Sequence, residues 1–279
     1  MNKIINQDCV QGLSEMESGI ADLCFADPPF NIGYQYDAYH DVVNGDEYVS
    51  WCGRWIGEVH RVLKPTGSFW LAIGDEYVSN LKLVSDSVGF HMRSWVIWHY
   101  AFGVNLKNNF AKCHTHILYF VKDKKNFTFN SDEIRVDSAR GAVYNDRRAN
   151  AKGKIPENVW ILRPSEAAGM IDPTTDVWEI PRLCGTHKER VKWHPCQMPE
   201  LVLERIIRTC SNPGELVVDP FSGSGTTSVV SRKLGRHSIS FEMSKTYAAL
   251  GQERVKEIDR KMESRLANLF QLPGKPHGD

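Results

Sequence analysis

The stretch Leu216-Val217-Val218-Asp219-Pro220-Phe221-Ser222-Gly223-Ser224-Gly225-Thr226-Thr227 decides the fold. Its three leading apolar residues read as a strand buried on both faces, since a strand with one wet face would alternate. Pro220 ends that strand, and Gly223 and Gly225 allow φ values and close approaches that other residues resist. Thr226 opens a helix whose first N–H groups face the strand end. Ser238-Ile239-Ser240-Phe241 reads as the following strand and ends in Glu242. Strand, glycine loop, helix and strand make a βαβ unit, which calls for a parallel sheet with helices on its faces.

The same grammar extends outward. Ala21 to Ala26 and Ser68 to Ile73 are near-continuous apolar runs and read as buried strands. Trp51, Trp55, Ile56, Val59, Val62 and Leu63 recur at helical spacing before a stop at Lys64-Pro65-Thr66-Gly67, and Leu201, Val202, Ile206 and Ile207 do so after Pro199. Ser94 to Tyr100 and His116 to Val121, rich in aromatic and β-branched residues, read as a hairpin or edge pair. From about residue 126 to 192 the rhythm is lost among Pro156, Pro164, Pro173 and Pro181, while Trp160 and Trp178 argue for order. The predicted class is α/β with a doubly wound, mostly parallel sheet and one inserted region.

Composition narrows the chemistry. The 279 residues, 42% hydrophobic, suffice for one large domain carrying an insertion. Lys plus Arg equals Asp plus Glu at 34 each, so contact with a polyanion requires a local patch rather than a global field. Seven cysteines without paired or metal-type spacing predict a reducing, cytoplasmic setting rather than a disulfide scaffold. No apolar run approaches the ~20 residues of a membrane span, and no signal-peptide core is visible, so a soluble protein with no membrane partner is expected.

Two motifs sit where buried strands end, the place where open α/β sheets bind ligands. At the late one, Glu242 lies the roughly 20 positions beyond a glycine loop at which an acidic residue accepts from ribose hydroxyls. Short glycine patterns also make ordinary turns, and Ser228 stands where a dinucleotide fingerprint has its third glycine, which speaks against a nicotinamide enzyme. At the early one, Asp27-Pro28-Pro29-Phe30 follows the run ending at Ala26. Consecutive prolines stop a strand and donate nothing, leaving the Asp27 carboxylate and the Pro28 carbonyl as free acceptors. Two acceptors gripping both hydrogens of an exocyclic amine expose its lone pair to a methyl electrophile. Phe30 offers a flat face on which a flipped base can stack.

With both motifs in hand, the chain resembles the bacterial DNA amino-methyltransferases that use S-adenosylmethionine. Asp27 to Phe30 matches their [DNS]-P-P-[FYW] tetrad, and Phe221 to Gly225 their F-x-G-x-G loop. Tetrad first, variable segment next and cofactor loop last resembles the permuted β group. Asn6-Gln7-Asp8-Cys9, Glu58 to Gly67 and His194-Pro195-Cys196-Gln197-Met198-Pro199 resemble further elements, although Cys196 and Met198 replace the usual Thr and Lys, and His114-Thr115-His116 stands where His-Glu is frequent. The resemblance implies a class I methyltransferase fold with an inserted target-recognition region. It divides the chain into a catalytic half (1–125), the insertion (126–192), a cofactor half (193–268) and a flexible tail (269–279). It implies an S-adenosylmethionine site built from Asp8, Cys9, Asp27, His194, Asp219, Pro220, Phe221, Gly223, Gly225, Thr226 and Glu242. Asp27, Pro28, Pro29 and Phe30 form the catalytic set, and adenine N6 is favoured over cytosine N4 because Asp opens the tetrad. Cytosine N4 is the runner-up, followed by an inactive DNA-binding relative.

Double-stranded DNA is the expected partner in a bacterial cytoplasm. A second copy of the chain and a cognate restriction endonuclease are compatible companions. Phosphate contacts are expected from Arg147 and Arg148 in one basic set and from Arg182, Lys188, Arg190 and Lys192 in another. Pro195-Cys196-Gln197 also resembles the nucleophile of ring-carbon cytosine methylation, but the motif order is wrong for that chemistry. Cys113, His114 and His116 lack a second ligand pair at zinc-like spacing, so no metal is expected.

Overall fold

The computed structural model describes residues 1–34, 37, 41–104, 107, 108, 110–160, 183 and 189–270. Among these residues, strands β1 (Asn2–Asn6), β2 (Ala21–Ala26), β3 (Leu63–Ile73), β4 (His91–Val104), β5 (Lys112–Val121), β6 (Val159–Trp160), β7 (Leu216–Asp219) and β8 (His237–Glu242) join in one sheet. The order is β1-β8-β7-β2-β3-β5-β4-β6. β1, β8, β7, β2 and β3 are mutually parallel, and the aromatic segments form an antiparallel hairpin, β4–β5, added through β5 to β3. The expected doubly wound sheet is present. No described helix is long and apolar enough to cross a membrane.

Every residue of β2 is buried, and its side chains alternate between two cores. Cys24 and Ala26 face helices α1 (Cys9–Ser14), α2 (Gly45–Val62) and α3 (Val78–Val88). Leu23 and Phe25 face the other layer, to which α5 (Glu200–Cys210) and α6 (Thr226–Lys233) belong; a short α4 (Ala139–Ala142) precedes these and α7 (Lys245–Phe270) follows them. α2 shows why such segments fold locally. Asn44 caps its start by accepting from Asp46 N at 2.9 Å, Asp46 and Glu47 occupy the first turn, and His60 and Arg61 the last. Its buried stripe of Tyr48, Cys52, Trp55, Ile56, Val59 and Val62 contributes roughly 1.5–3 kcal/mol per large side chain.

The Lys64-to-Gly67 stop is not a separate turn. β3 starts at Leu63, pairing with Ala21, and pairing resumes at Ser68 opposite Leu23, so the intervening residues bulge out of the ladder. Two links tie the segment that follows β5 to the rest of the fold. Asn130 N donates to Thr209 O at 2.7 Å at the foot of α5, and β6 pairs with β4 through Ile97–Val159 and Trp98–Trp160.

β2 and β7 are neighbours, with Leu23 opposite Val217 and Cys24 opposite Val218. From them the chain departs to opposite layers, β2 through α2 to β3 and β7 through α6 to β8. This is a topological switch point, and a crevice opens beyond the carboxyl ends of those two strands.

Candidate active site

The crevice is a cavity of about 530 Å³, within the range of small-molecule sites. Asp27, Pro28, Pro29 and Phe30 line it from the end of β2, and Asp219 to Ser224 with Thr226 line it from the end of β7. Two motifs 192 positions apart (27 and 219) thus share one wall-to-wall space. Glu242 closes the β8 side, Cys9 the β1 side, and His194 to Met198 form a further wall.

The glycine loop is held by its own main chain. Phe221 N donates to Asp219 Oδ1 at 2.9 Å, Ser222 N to Phe241 O at 2.8 Å and Gly223 N to Glu242 Oε2 at 2.8 Å. Ser244 N donates to the other Glu242 oxygen at 2.9 Å, fixing the carboxylate while each oxygen keeps a lone pair for a further donor. Gly223, at φ +49°, lies under the His194 ring, and a Cβ there would stand 2.9 Å from His194 Nε2. The Phe221 ring packs edge-on against Trp51 and Trp55, with centroids 5.6 and 5.1 Å away. Ser228 fills the place of the missing third glycine, and its Oγ meets Ser240 Oγ at 2.8 Å and Ser238 Oγ at 3.0 Å.

Two expected cofactor contacts are placed differently. The Asp8 carboxylate caps α1, accepting from Val10 N at 2.9 Å and Gln11 N at 3.1 Å, and Gln7 and Cys9 rather than Asp8 reach the cavity. Gly225, at φ +76°, does not line the cavity. A Cβ there would lie 2.9 Å from Ile4 Cδ1 and 3.1 Å from Gly251 Cα, so this glycine admits β1 and α7 rather than ligand.

Carboxylates dominate the charged groups of the lining. Asp27, Asp75, Glu76, Asp219 and Glu242 face the cavity with Lys112 as the lysine among them. Burial, followed by the charge of Asp219, pushes the Asp27 carboxyl up to about 7. Asp219 is likewise pushed up to about 7, chiefly by burial, and Glu242 is raised for the same reason. Burial lowers His194 to about 4, keeping its ring neutral.

The hairpin supplies a wall that sequence reading missed. Trp98 and Tyr100 from β4, and Lys112, His114 and Thr115 from β5, line the side opposite the glycine loop, together with Asp75 and Glu76 beyond β3. Alternation along β5 could have flagged His114, but only pairing with β3 brings it to the cleft. Asp75, His114 and His116 hold their ligand-type atoms within 4.8 Å of one another. Trp95 Nε1 donates to His116 Nδ1 at 2.9 Å, so the neutral ring carries its proton on Nε2, aimed at Asp75 Oδ1 3.2 Å away. That proton occupies the lone pair a metal would need, and the cluster is held by hydrogen bonds.

Among the described residues, none of Arg147, Arg148, Arg190 and Lys192 lines the cavity. Arg148 and Arg140 both pair with Asp146, at 3.0 and 2.8 Å, while Arg135 and Lys152 pair with Asp132. Much of that positive charge is therefore balanced within the segment. Arg147 and Lys192 are exposed and Arg190 is half-buried; Arg182 and Lys188 lie outside the described residues.

Fold and site together define a class, and the sequence agrees with it: residues 21–253 match the N6/N4 DNA methylases, and the chain belongs to that family. Among its relatives, type II methyltransferase M.HpaI of Haemophilus parainfluenzae is 33% identical over 254 residues, 91% of this chain and 74% of that protein. DNA adenine methyltransferase YhdJ of Escherichia coli K12 is 34% identical over 260 residues, 90% of this chain and 82% of that protein. The solved structure of the M1.HpyAVI–SAM complex superposes with a TM-score of 0.62 at 21% identity, covering 91% of this chain and 99% of that one. It shares the fold.

Proposed function

We propose that this protein transfers a methyl group from S-adenosylmethionine to the N6 amine of an adenine flipped out of double-stranded DNA. The observation that carries the reading is the single cavity shared by Asp27 and the 219–226 loop across the switch point. Five carboxylates against one lysine on the lining suit a cationic cofactor, and Ser222 Oγ, buried on that lining, lacks a hydrogen-bond partner among the described residues. When bound, the cofactor supplies an electrophilic methyl group on a sulfonium centre. Cys9, His194, Asp219, Pro220, Phe221, Gly223, Thr226 and Glu242 would hold it, with Glu242 accepting from the ribose.

Asp27 and the Pro28 carbonyl accept the two N–H groups of the target amine, turning its lone pair towards the methyl group. Phe30 and the aromatic hairpin wall enclose the base. After transfer the nitrogen is cationic and sheds a proton, and Asp27, held near about 7, is the acceptor beside it. Much of the rate comes from holding two reactants in line. The same carboxylates repel phosphate, so the base enters while the backbone stays outside, and Arg147, Arg148, Arg182, Lys188, Arg190 and Lys192 are assigned to phosphate contact. Residues 126–192 serve as the target-recognition insertion in this reading.

Adenine is favoured over cytosine by Asp at the tetrad's first position and by the likeness to an adenine methyltransferase. Family membership covers both amines. Mass spectrometry of nucleosides from treated DNA checks the choice: N6-methyladenine is expected, and N4-methylcytosine as sole product overturns it.

A further inference from the structure

A tetrad containing two prolines poses a mechanical problem. Pro28 and Pro29 have no N–H, so this segment cannot be pinned through main-chain donation as the glycine loop is. It has to be pinned by accepting hydrogen bonds, yet the Asp27 carboxylate and the Pro28 carbonyl are the acceptors reserved for the substrate amine. One acceptor is left between them and Phe30, the Pro29 carbonyl. Tyr48 Oη donates to it at 2.6 Å.

Tyr48 is fully buried in the first turn of α2, the helix that follows the tetrad and the loop beyond it. Its ring lies against Tyr77, with centroids 4.5 Å apart. Tyr77 Oη in turn accepts from Asn31 Nδ2 at 2.8 Å, immediately after the tetrad. Asn31 sits at φ +57°, a conformation that Asn tolerates better than most residues. Its main-chain N–H donates to Asp41 Oδ1 at 2.6 Å, and its side-chain amide also bridges Val43, giving at 2.9 Å and accepting at 2.8 Å. Behind the Phe30 ring is Gly74, where a Cβ would stand 3.2 Å from Phe30 Cδ2.

The consequence is geometric. The Pro29 carbonyl and the Phe30 N–H belong to one rigid peptide plane. Proline already fixes φ at Pro29, so fixing the carbonyl direction also fixes ψ and with it the start of Phe30. A hydroxyl that never touches substrate thereby sets the direction of the stacking ring and of the Pro28 carbonyl before it. Asn31 grips the other end of the same short segment. We infer that Tyr48, with Asn31 acting through Tyr77, is a positioning residue that locks the tetrad in its amine-gripping geometry. This inference rests on the proposed methyl transfer.

The test is single-turnover methylation of duplex DNA by Tyr48→Phe beside the wild type, with cofactor affinity measured by calorimetry and base flipping by 2-aminopurine fluorescence at the target position. Phe keeps the ring packing and deletes one hydroxyl. The single-turnover rate should fall about 10- to 100-fold, the size of a small misplacement of a reacting group. Cofactor affinity should stay within about twofold and the fluorescence change should persist. Tyr77→Phe, which cuts only the Asn31 link, should lose less. A wild-type rate in Tyr48→Phe overturns the inference alone. Loss of cofactor affinity in step with rate overturns it too, because the hydroxyl would then support the whole pocket. Absence of transfer by the wild type itself overturns the underlying reading, and this inference with it.

Discussion

On the β7–β8 side of the cleft the wall is largely main chain: Phe221, Ser222 and Gly223 direct their N–H groups into a fixed web with Asp219, Phe241 and Glu242. On the β3–β5–β4 side it is side chains, with Trp98, Tyr100, Lys112 and His114 on an antiparallel hairpin. A main-chain wall is set by φ values and tolerates little change. A side-chain wall can be altered residue by residue while the ladder stays intact. The first suits a ligand of constant shape, the second a target whose identity has to be chosen. Asp27 stands between the two, just past the end of β2, the strand that lies between β7 and β3.

The sharpest way to break this division is Asp27→Ala. Transfer of tritiated methyl to DNA should drop by at least about 100-fold while cofactor affinity holds, because an acceptor aimed at developing charge acts in the transition state. Near-normal turnover would remove Asp27 from the junction between the halves. Gly223→Ala probes the main-chain side. Its Cβ would press on His194 at 2.9 Å with φ at +49°, so cofactor affinity should weaken roughly tenfold, with about 1 kcal/mol lost from folding stability. Unchanged cofactor binding would mean that the loop is a turn and nothing more.

Titration separates the two sides further. Asp27 must be ionised to grip an amine, so kcat/KM should fall roughly tenfold per pH unit below about 7. A flat profile between pH 6 and 8 would contradict that. Stability should run the other way. The folded carboxyls of Asp27 and Asp219 titrate near 7 and the unfolded ones near 3.8, so the contribution of the protonated forms is complete below the lower value and is lost as pH rises through the higher. Asp27→Asn should therefore be more stable than the wild type at pH 8, by at most about 4 kcal/mol of unfolding free energy, and scarcely differ at pH 4. An equal difference at both pH values would sink the assignment. The smallest effect concerns the proposed phosphate contacts: replacing Arg190 and Lys192 with Ser should weaken DNA binding and lower the salt slope by roughly two. An unchanged slope would exclude that patch.

Legibility followed the same boundary. β2 and β7 could be read residue for residue, since strands buried on both faces are continuous in apolar character and end at proline or glycine. The hairpin was visible as two strands, but its place against β3 was not. Ile73 meets His116 through a pairing that no local pattern encodes. The Lys64-to-Gly67 stop became a bulge because β2 offers partners on both sides of it. Asp8 and Gly225 show the opposite lesson: each motif residue is present, but one caps a helix and the other makes room for neighbouring backbone.

The order of residues alone settled the class of sheet and marked the two loops at strand ends, to which the proposed chemistry is assigned. These rest on local rules of burial period, missing donors and permitted φ values, which operate within a few residues. Tertiary structure decided that β2 lies beside β7, that a hairpin lines the same cleft and that a buried tyrosine bonds the Pro29 carbonyl of the tetrad. Each depends on contacts between distant segments, and those arise only when whole layers bury their apolar faces together.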